Sequence, residues 1–107
     1  MSNYVLLYYG GSMPATEDER KKVTDDWMAW YKKIDNAVVD QGNPFSPMVK
    51  NITGDGRISD GPSGSMPTGY SIIKAISLDA AVQIAKSCPV LKRGARISVY
   101  ETFNAMG

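Results

Sequence analysis

The fold class this chain predicts is α+β, a ferredoxin-like βαββαβ sandwich. Three observations carry the prediction. Short aromatic and β-branched runs alternate with two segments of helical periodicity, in the order strand, helix, strand pair, strand, helix, strand. At 107 residues the chain makes one domain, 1–107, because single cores divide only beyond roughly 250 residues. Hydrophobic residues at 43% and charged residues at 21% are the proportions of a folding chain, able to form a core without disulfides or a structural metal.

Each element has its own local cause. Tyr4-Val5-Leu6-Leu7-Tyr8-Tyr9 is a short aromatic and branched run stopped by Gly10-Gly11, which reads as a strand. Both of its alternating sets are apolar, Tyr4, Leu6 and Tyr8 on one side and Val5, Leu7 and Tyr9 on the other, so both faces need cover. Thr16-Glu17-Asp18-Glu19 is a capping box, and its three acids suit the positive end of a helix dipole. Val23, Trp27, Trp30, Tyr31, Ile34 and Val38 follow at three- and four-residue spacing, which predicts one amphipathic helix ended by Gly42 and Asn43-Pro44.

From Phe45 to Ile58 two short strand-like runs flank Thr53-Gly54-Asp55-Gly56, where Asp-Gly supplies the backbone angles of a hairpin. Ser59 to Gly69 carries three glycines and two prolines and reads as a loop long enough to suggest a purpose. Tyr70 to Ile76 is the next strand. Ser77 caps a second helix that turns Leu78, Ala81, Val82 and Ala85 inward and reaches toward Cys88, with Pro89 as its stop. Gly94 precedes a last strand, Arg96 to Phe103, with Ile97, Val99 and Phe103 alternating against Arg96, Ser98, Tyr100 and Thr102.

Two helices cover one face of a four-stranded sheet and leave the other bare. An apolar sheet face normally meets a partner or a ligand, and the simplest cover is a second copy about a two-fold axis. A homodimer through sheet faces is therefore expected. Twelve basic residues against eleven acidic ones give a net charge of +1, which argues against nucleic acid or an anionic membrane surface as partner. The chain has no histidine and one cysteine. That removes Ser–His and Cys–His nucleophile pairs, an internal disulfide and a Cys/His metal cluster, so no metal or cofactor is expected. The chain has no run near the ~20 apolar residues of a membrane span and no secretory pattern at its start, which makes a cytoplasmic location the expectation.

Several segments then point to a family. The opening Tyr-Val-Leu-Leu-Tyr-Tyr-Gly strand is followed by a Trp27-x-x-Trp30 helix and Ile58-Ser59-Asp60-Gly61-Pro62. After these come Gly69-Tyr70-Ser71-Ile72-Ile73 and Ser77-Leu78-Asp79-Ala80-Ala81, opening a helix that ends at Ser87-Cys88-Pro89. The chain resembles the YCII-related family, in the branch named for an Asp-Gly-Pro-Phe motif, over nearly its whole length. The resemblance implies a dimeric α/β barrel built from two ferredoxin-like sheets. Some members carry a His–Asp pair proposed for acid–base chemistry, and some are linked to extracytoplasmic-function sigma factors. Two departures stand out: Ser63 occupies the phenylalanine position, and the chain has no histidine with which to form that pair.

Asp60 is the candidate catalytic residue, a carboxylate at a loop–strand junction that would act as proton donor or acceptor in a metal-free isomerase- or lyase-type step. The structural alternative is an Asx-turn in which Asp60 accepts backbone amides from Gly61 onward. Tyr8, Trp27, Ser63, Tyr70 and Arg96 are the candidate ligand-binding residues. Trp27 offers an indole to a planar ligand from a helix stripe that otherwise serves the core, and Tyr8 and Tyr70 offer rings with polar tips. Tyr70 follows the glycine-rich loop and is the tyrosine best placed to meet Asp60. Arg96 would bind a carboxylate if its face turns inward, and is a solvated edge if it does not. Cys88 reads as a small buried hydrophobe. Two functional classes follow: a small-molecule site for a compact, partly apolar or acidic compound near Asp60, or a non-catalytic regulatory or interaction module.

Overall fold

The computed structural model describes residues 1–12, 14–61, 64 and 66–106. Its architecture is α+β, with two helices and antiparallel sheets. The opening run forms β1, Ser2–Tyr9, in which Tyr4, Leu6 and Tyr8 are buried while Val5, Leu7 and Tyr9 stay half-buried. Two-residue alternation thus separates a core face from an open face. The first helix, α1, covers Glu17–Ile34. Its N-cap is as expected on one side, Glu19 N–H donating to Thr16 Oγ1 at 3.1 Å. The return bond reaches one residue further back, with Ala15 N–H donating to Glu19 Oε2 at 2.8 Å.

The helix ends earlier than its apolar stripe suggests. Asp35 breaks the helical backbone with a positive φ of 36°, uncommon for a residue other than glycine, and its N–H caps the Tyr31 carbonyl. A 3₁₀ turn, Asp35–Ala37, leads into β2, Val38–Asp40. Val38 is therefore a strand residue, not the last member of the helix stripe. The physical reason is its neighbour: adjacent β-branched Val38 and Val39 favour extended backbone and pair onto a sheet edge that would otherwise be bare.

The expected hairpin forms as β3, Lys50–Ile52, and β4, Ile58–Asp60. Its turn is closed by Thr53 N–H to the Arg57 carbonyl and Gly56 N–H to the Thr53 carbonyl, both 2.9 Å. These two strands make a separate sheet, so the fourth strand of the main sheet is β2. Strand β5 starts at Pro67 and runs to Ala75, three residues ahead of the expected start. Helix α2, Leu78–Ala85, is capped by Ser77, whose Oγ accepts from Ala80 N–H at 3.0 Å. Ala81 and Ala85 are buried, but Leu78, the first residue of the helix, is 44% exposed. Pro89 stops this helix and begins a 3₁₀ turn, Pro89–Arg93, closed by Gly94. The last strand, β6, ends at Glu101, leaving Phe103 outside it and 85% exposed.

The main sheet has the order β2-β5-β1-β6, antiparallel throughout, with open edges at β2 and β6. Tyr4, Leu6, Tyr8 and Ile73 from the sheet meet Trp30 from α1 and Ala81 and Ala85 from α2 in one buried cluster, so both helices lie on one face. Trp30 ties the helices together: its Nε1–H donates to Ser87 Oγ at 2.9 Å, and Ser87 Oγ donates to the Ile84 carbonyl. Strand register places Arg96, Ser98 and Tyr100 beside Tyr9, Leu7 and Val5, on the face opposite the helices.

Candidate functional site

A cavity of about 540 Å³ opens between the Val23–Tyr31 stretch of α1 and the end of the sheet where β1 finishes and β5 begins. Helix α1 supplies Val23, Trp27, Met28 and Tyr31, and the sheet supplies Tyr8, Gly69 and Ser71. The remaining walls come from the glycine-led loop after β1, from Gln41–Pro44, and from Val90 and Arg93. The volume lies within the roughly 300–1,000 Å³ typical of small-molecule sites.

Two glycines allow the wall after β2 to close. Gly42 has φ +73°, and a Cβ there would overlap the Tyr70 carbonyl oxygen. A Cβ at Gly69 would come within 3.1 Å of both the Asn43 carbonyl oxygen and Pro44 Cα. The Gln41–Phe45 segment can therefore lie directly on β5, held by Tyr70 N–H to the Asn43 carbonyl at 3.3 Å and Phe45 N–H to the Thr68 carbonyl at 2.8 Å.

The aromatic wall is a connected cluster. Trp27 meets Tyr8 and Trp30 edge-on at 5.5 and 5.7 Å between ring centroids, and Tyr31 in a tilted arrangement at 5.6 Å. Edge-to-face contacts of this kind add about 0.5–1.5 kcal/mol each beyond area burial and fix ring orientation. Behind the rings lies a chain of hydroxyls. Tyr8 Oη–H donates to Ser71 Oγ at 2.6 Å, Ser71 Oγ–H donates to the Gln41 carbonyl at 2.8 Å, and Tyr31 Oη–H donates to the same carbonyl at 2.9 Å. Burial pushes both phenols above their ordinary range, most strongly Tyr8. Cys88 lies in the same core and burial raises its thiol to about 11, so it stays protonated and acts as an apolar filler.

The candidate residues scatter in an instructive way. Tyr8, Trp27 and Tyr70 all line the cavity. Tyr70 alternates to the open side of β5, where its ring stacks on Phe45 at 5.7 Å and its hydroxyl donates to Asp40 Oδ2 at 3.4 Å, so its carboxylate partner is Asp40 rather than Asp60. Asp60 ends β4 with its side chain 81% exposed, paired to Lys50 Nζ at 3.1 Å, and it lines neither this cavity nor the smaller one at the hairpin root. Asp60 was expected beside the cavity; the hairpin carries it away because β3 and β4 leave the main sheet. The Asx-turn is not formed with Gly61 either, whose N–H donates to the Val49 carbonyl. Arg96 lies on the open sheet face with its guanidinium 4.0 Å over the Tyr9 ring, and Ser63 lies outside the described residues, as do Pro62 and Ser65.

Sequence reading missed Ser71, Gln41 and Arg93. Ser71 carried a usable signal, a lone small polar residue on the same alternating side as Ile73 and Ala75, at a position bound to be buried. Among the described residues no group of acidic and thiol side chains converges as a metal site, and no helix is long and apolar enough to cross a membrane. Compared with known proteins, the chain matches no family model and no curated sequence.

Proposed function

We propose that this chain is a small-molecule-binding protein of YCII-related type whose ligand occupies the cavity between α1 and the sheet. The carrying observation is that cavity: about 540 Å³, walled by Tyr8, Trp27 and Tyr31, and backed by hydroxyls already bonded to one another. The β2-β5-β1-β6 order with both helices on one face supports a ferredoxin-like arrangement. A lone buried thiol suits a cytosolic setting. Asp60 has no part in this site. A thermal-shift screen of compact apolar compounds tests the reading: compounds that raise the melting temperature of the wild-type chain should fail to do so with Trp27→Ala, provided that variant folds. A screen with no stabilising compound, or hits indifferent to Trp27, contradicts it.

The working form in this proposal is a homodimer. Val5, Leu7, Tyr9, Ile72 and Tyr100 share the sheet face that no helix covers, and Phe45 stacks on its Tyr70 end. The chain is a plate 18 Å thick with a radius of gyration of 15.5 Å, wider than the roughly 13 Å of a compact single chain this long. Both features support a second copy laid face to face, completing a dimeric barrel. Sedimentation should give a dimer for the wild type and a monomer for Leu7→Glu; a monomeric wild type at micromolar concentration contradicts the assembly.

One observation favours a second reading, a non-catalytic interaction module. Ile52 and Ile58 face each other across the isolated hairpin and are 74% and 65% exposed. A two-stranded ribbon is marginal in water by itself, so exposed apolar pairs on one are suited to burial against a partner. If Ile52→Thr with Ile58→Thr leaves assembly and ligand binding intact yet abolishes biological function, this second reading is the correct one.

A further inference from the structure

We infer that the cavity selects apolar carboxylates and that Arg93 is the residue that reads the charge; the inference rests on the ligand-site reading above. Among the described residues lining the cavity Arg93 is the sole charged one, and no acidic side chain shares the lining. A largely apolar, open-mouthed cavity with one cation and no anion in its lining disfavours cationic ligands and rewards a single negative charge.

The buried hydroxyls behind the aromatic wall cannot do this work, and the other polar side chains of the lining, Ser12, Thr24, Gln41 and Asn43, carry no charge. A carboxylate accepts hydrogen bonds, so it needs donors. The hydrogens of Tyr8, Ser71 and Tyr31 are already given to Ser71 Oγ and the Gln41 carbonyl, and Thr68 Oγ1 lies 3.2 and 3.1 Å from the Tyr8 and Gly10 carbonyls. These groups can accept from a ligand but have no proton to offer. Arg93 can supply donors.

Its guanidinium is also held in place. Arg93 Nε–H donates to the Ser12 carbonyl at 3.3 Å, while Ser12 N–H donates to the Arg93 carbonyl at 3.1 Å. This reciprocal clip joins the loop after β1 to the 3₁₀ turn before β6. It fixes the plane of the fork through Nε and leaves the two terminal nitrogens as the carboxylate-binding edge. Arg93 forms no ion pair among the described residues, and it is half-buried, where a charge pair is screened less than at a free surface. The aromatic wall formed by Trp27 and Tyr8 then takes the apolar body of the ligand.

The test uses 1-naphthylacetate and its uncharged amide, 1-naphthylacetamide, titrated calorimetrically into the intact chain at pH 7. The expected result is that the acid binds at least tenfold tighter than the amide and that the gap narrows as salt is raised. Arg93→Gln should bring the two within about twofold of each other, and Arg93→Lys, which keeps the charge and loses the Nε clip, should restore part of the gap. Equal binding of acid and amide to the wild type overturns the charge selection while leaving the cavity reading in place. Failure of both compounds to bind overturns the cavity reading itself. A gap that survives Arg93→Gln assigns the charge reading elsewhere and overturns the role of Arg93.

Discussion

Ser71→Ala should be more damaging than its two lost atoms suggest, and its partner Tyr8→Phe less so. Ser71 is 1% exposed and stands between two groups, accepting from Tyr8 at 2.6 Å and donating to the Gln41 carbonyl at 2.8 Å. Removing its hydroxyl strands the buried Tyr8 phenol without an acceptor, while the Gln41 carbonyl keeps its bond from Tyr31. Stranding a buried hydroxyl costs about 1–3 kcal/mol, so we expect a loss of about 2 kcal/mol. Tyr8→Phe removes the donor alone. Ser71 keeps Gln41, nothing is stranded, and the cost should be that of one satisfied bond, about 1 kcal/mol. With both changes no buried polar group is orphaned, so the double variant should lose about 1.5 kcal/mol, half the sum of the two single losses. Urea denaturation followed by circular dichroism, with equal m-values required of all four proteins, measures the cycle. Additive losses, or a Tyr8→Phe cost exceeding that of Ser71→Ala, would refute the hydroxyl chain.

The remaining predictions address the cavity wall, the core and the hairpin. Gly42→Ala should destabilise by on the order of 3 kcal/mol in the same assay, since it combines a positive φ with overlap on the Tyr70 carbonyl, whereas Gly56→Ala at φ +85° in open space should cost about 1 kcal/mol. Stability should begin to fall about one pH unit below the unfolded-state thiol value and decline further above it. The folded chain holds the Cys88 proton up to about 11 and the Tyr8 and Tyr31 protons above their ordinary range, while the unfolded chain releases them near 9 and 10. The folded state thus binds more protons, so the unfolding free energy declines by up to about 1.4 kcal/mol per pH unit for each such group. Cys88→Ala should lower stability overall and flatten the decline between pH 9 and 10; stability rising across that range would contradict the burial of these groups. Asp60→Asn should shift stability by less than about 0.5 kcal/mol and leave ligand affinity unchanged, because its pair with Lys50 is solvated.

How much of this was legible in the sequence differs by element. Tyr4–Tyr9 was legible as a strand from its short aromatic and branched composition, but with both alternating sets apolar only the structure separates its core face from its open face. Capping at Thr16 and Ser77 was readable because the cap is a contact between residues three apart. The end of α1 was not. Val38 falls four residues after Ile34, so a helical stripe extends through it, and only the unpaired edge of β5 decides that Val38–Asp40 becomes a strand. The site follows the same logic. Tyr8 and Trp27 could be singled out by residue type and Ser71 by its place on the buried side of its strand, but that Ser71 meets Gln41 across 30 residues of chain, with Arg93 in the same lining, has no local signature. Asp60 was chosen for its Asp-Gly-Pro context, which says what the backbone does there. Its distance from the cavity depends on the hairpin pairing with itself rather than with the main sheet.

The two tryptophans offer the most direct check on the ligand site. Trp27 lines the cavity, while Trp30 is 3% exposed with its indole N–H bonded to Ser87. In an ¹⁵N-labelled sample titrated with 1-naphthylacetate, the Trp27 indole resonance should shift progressively to saturation while the Trp30 indole moves little. Shifts confined to the hairpin around Asp60, with both indoles unmoved, would contradict the account.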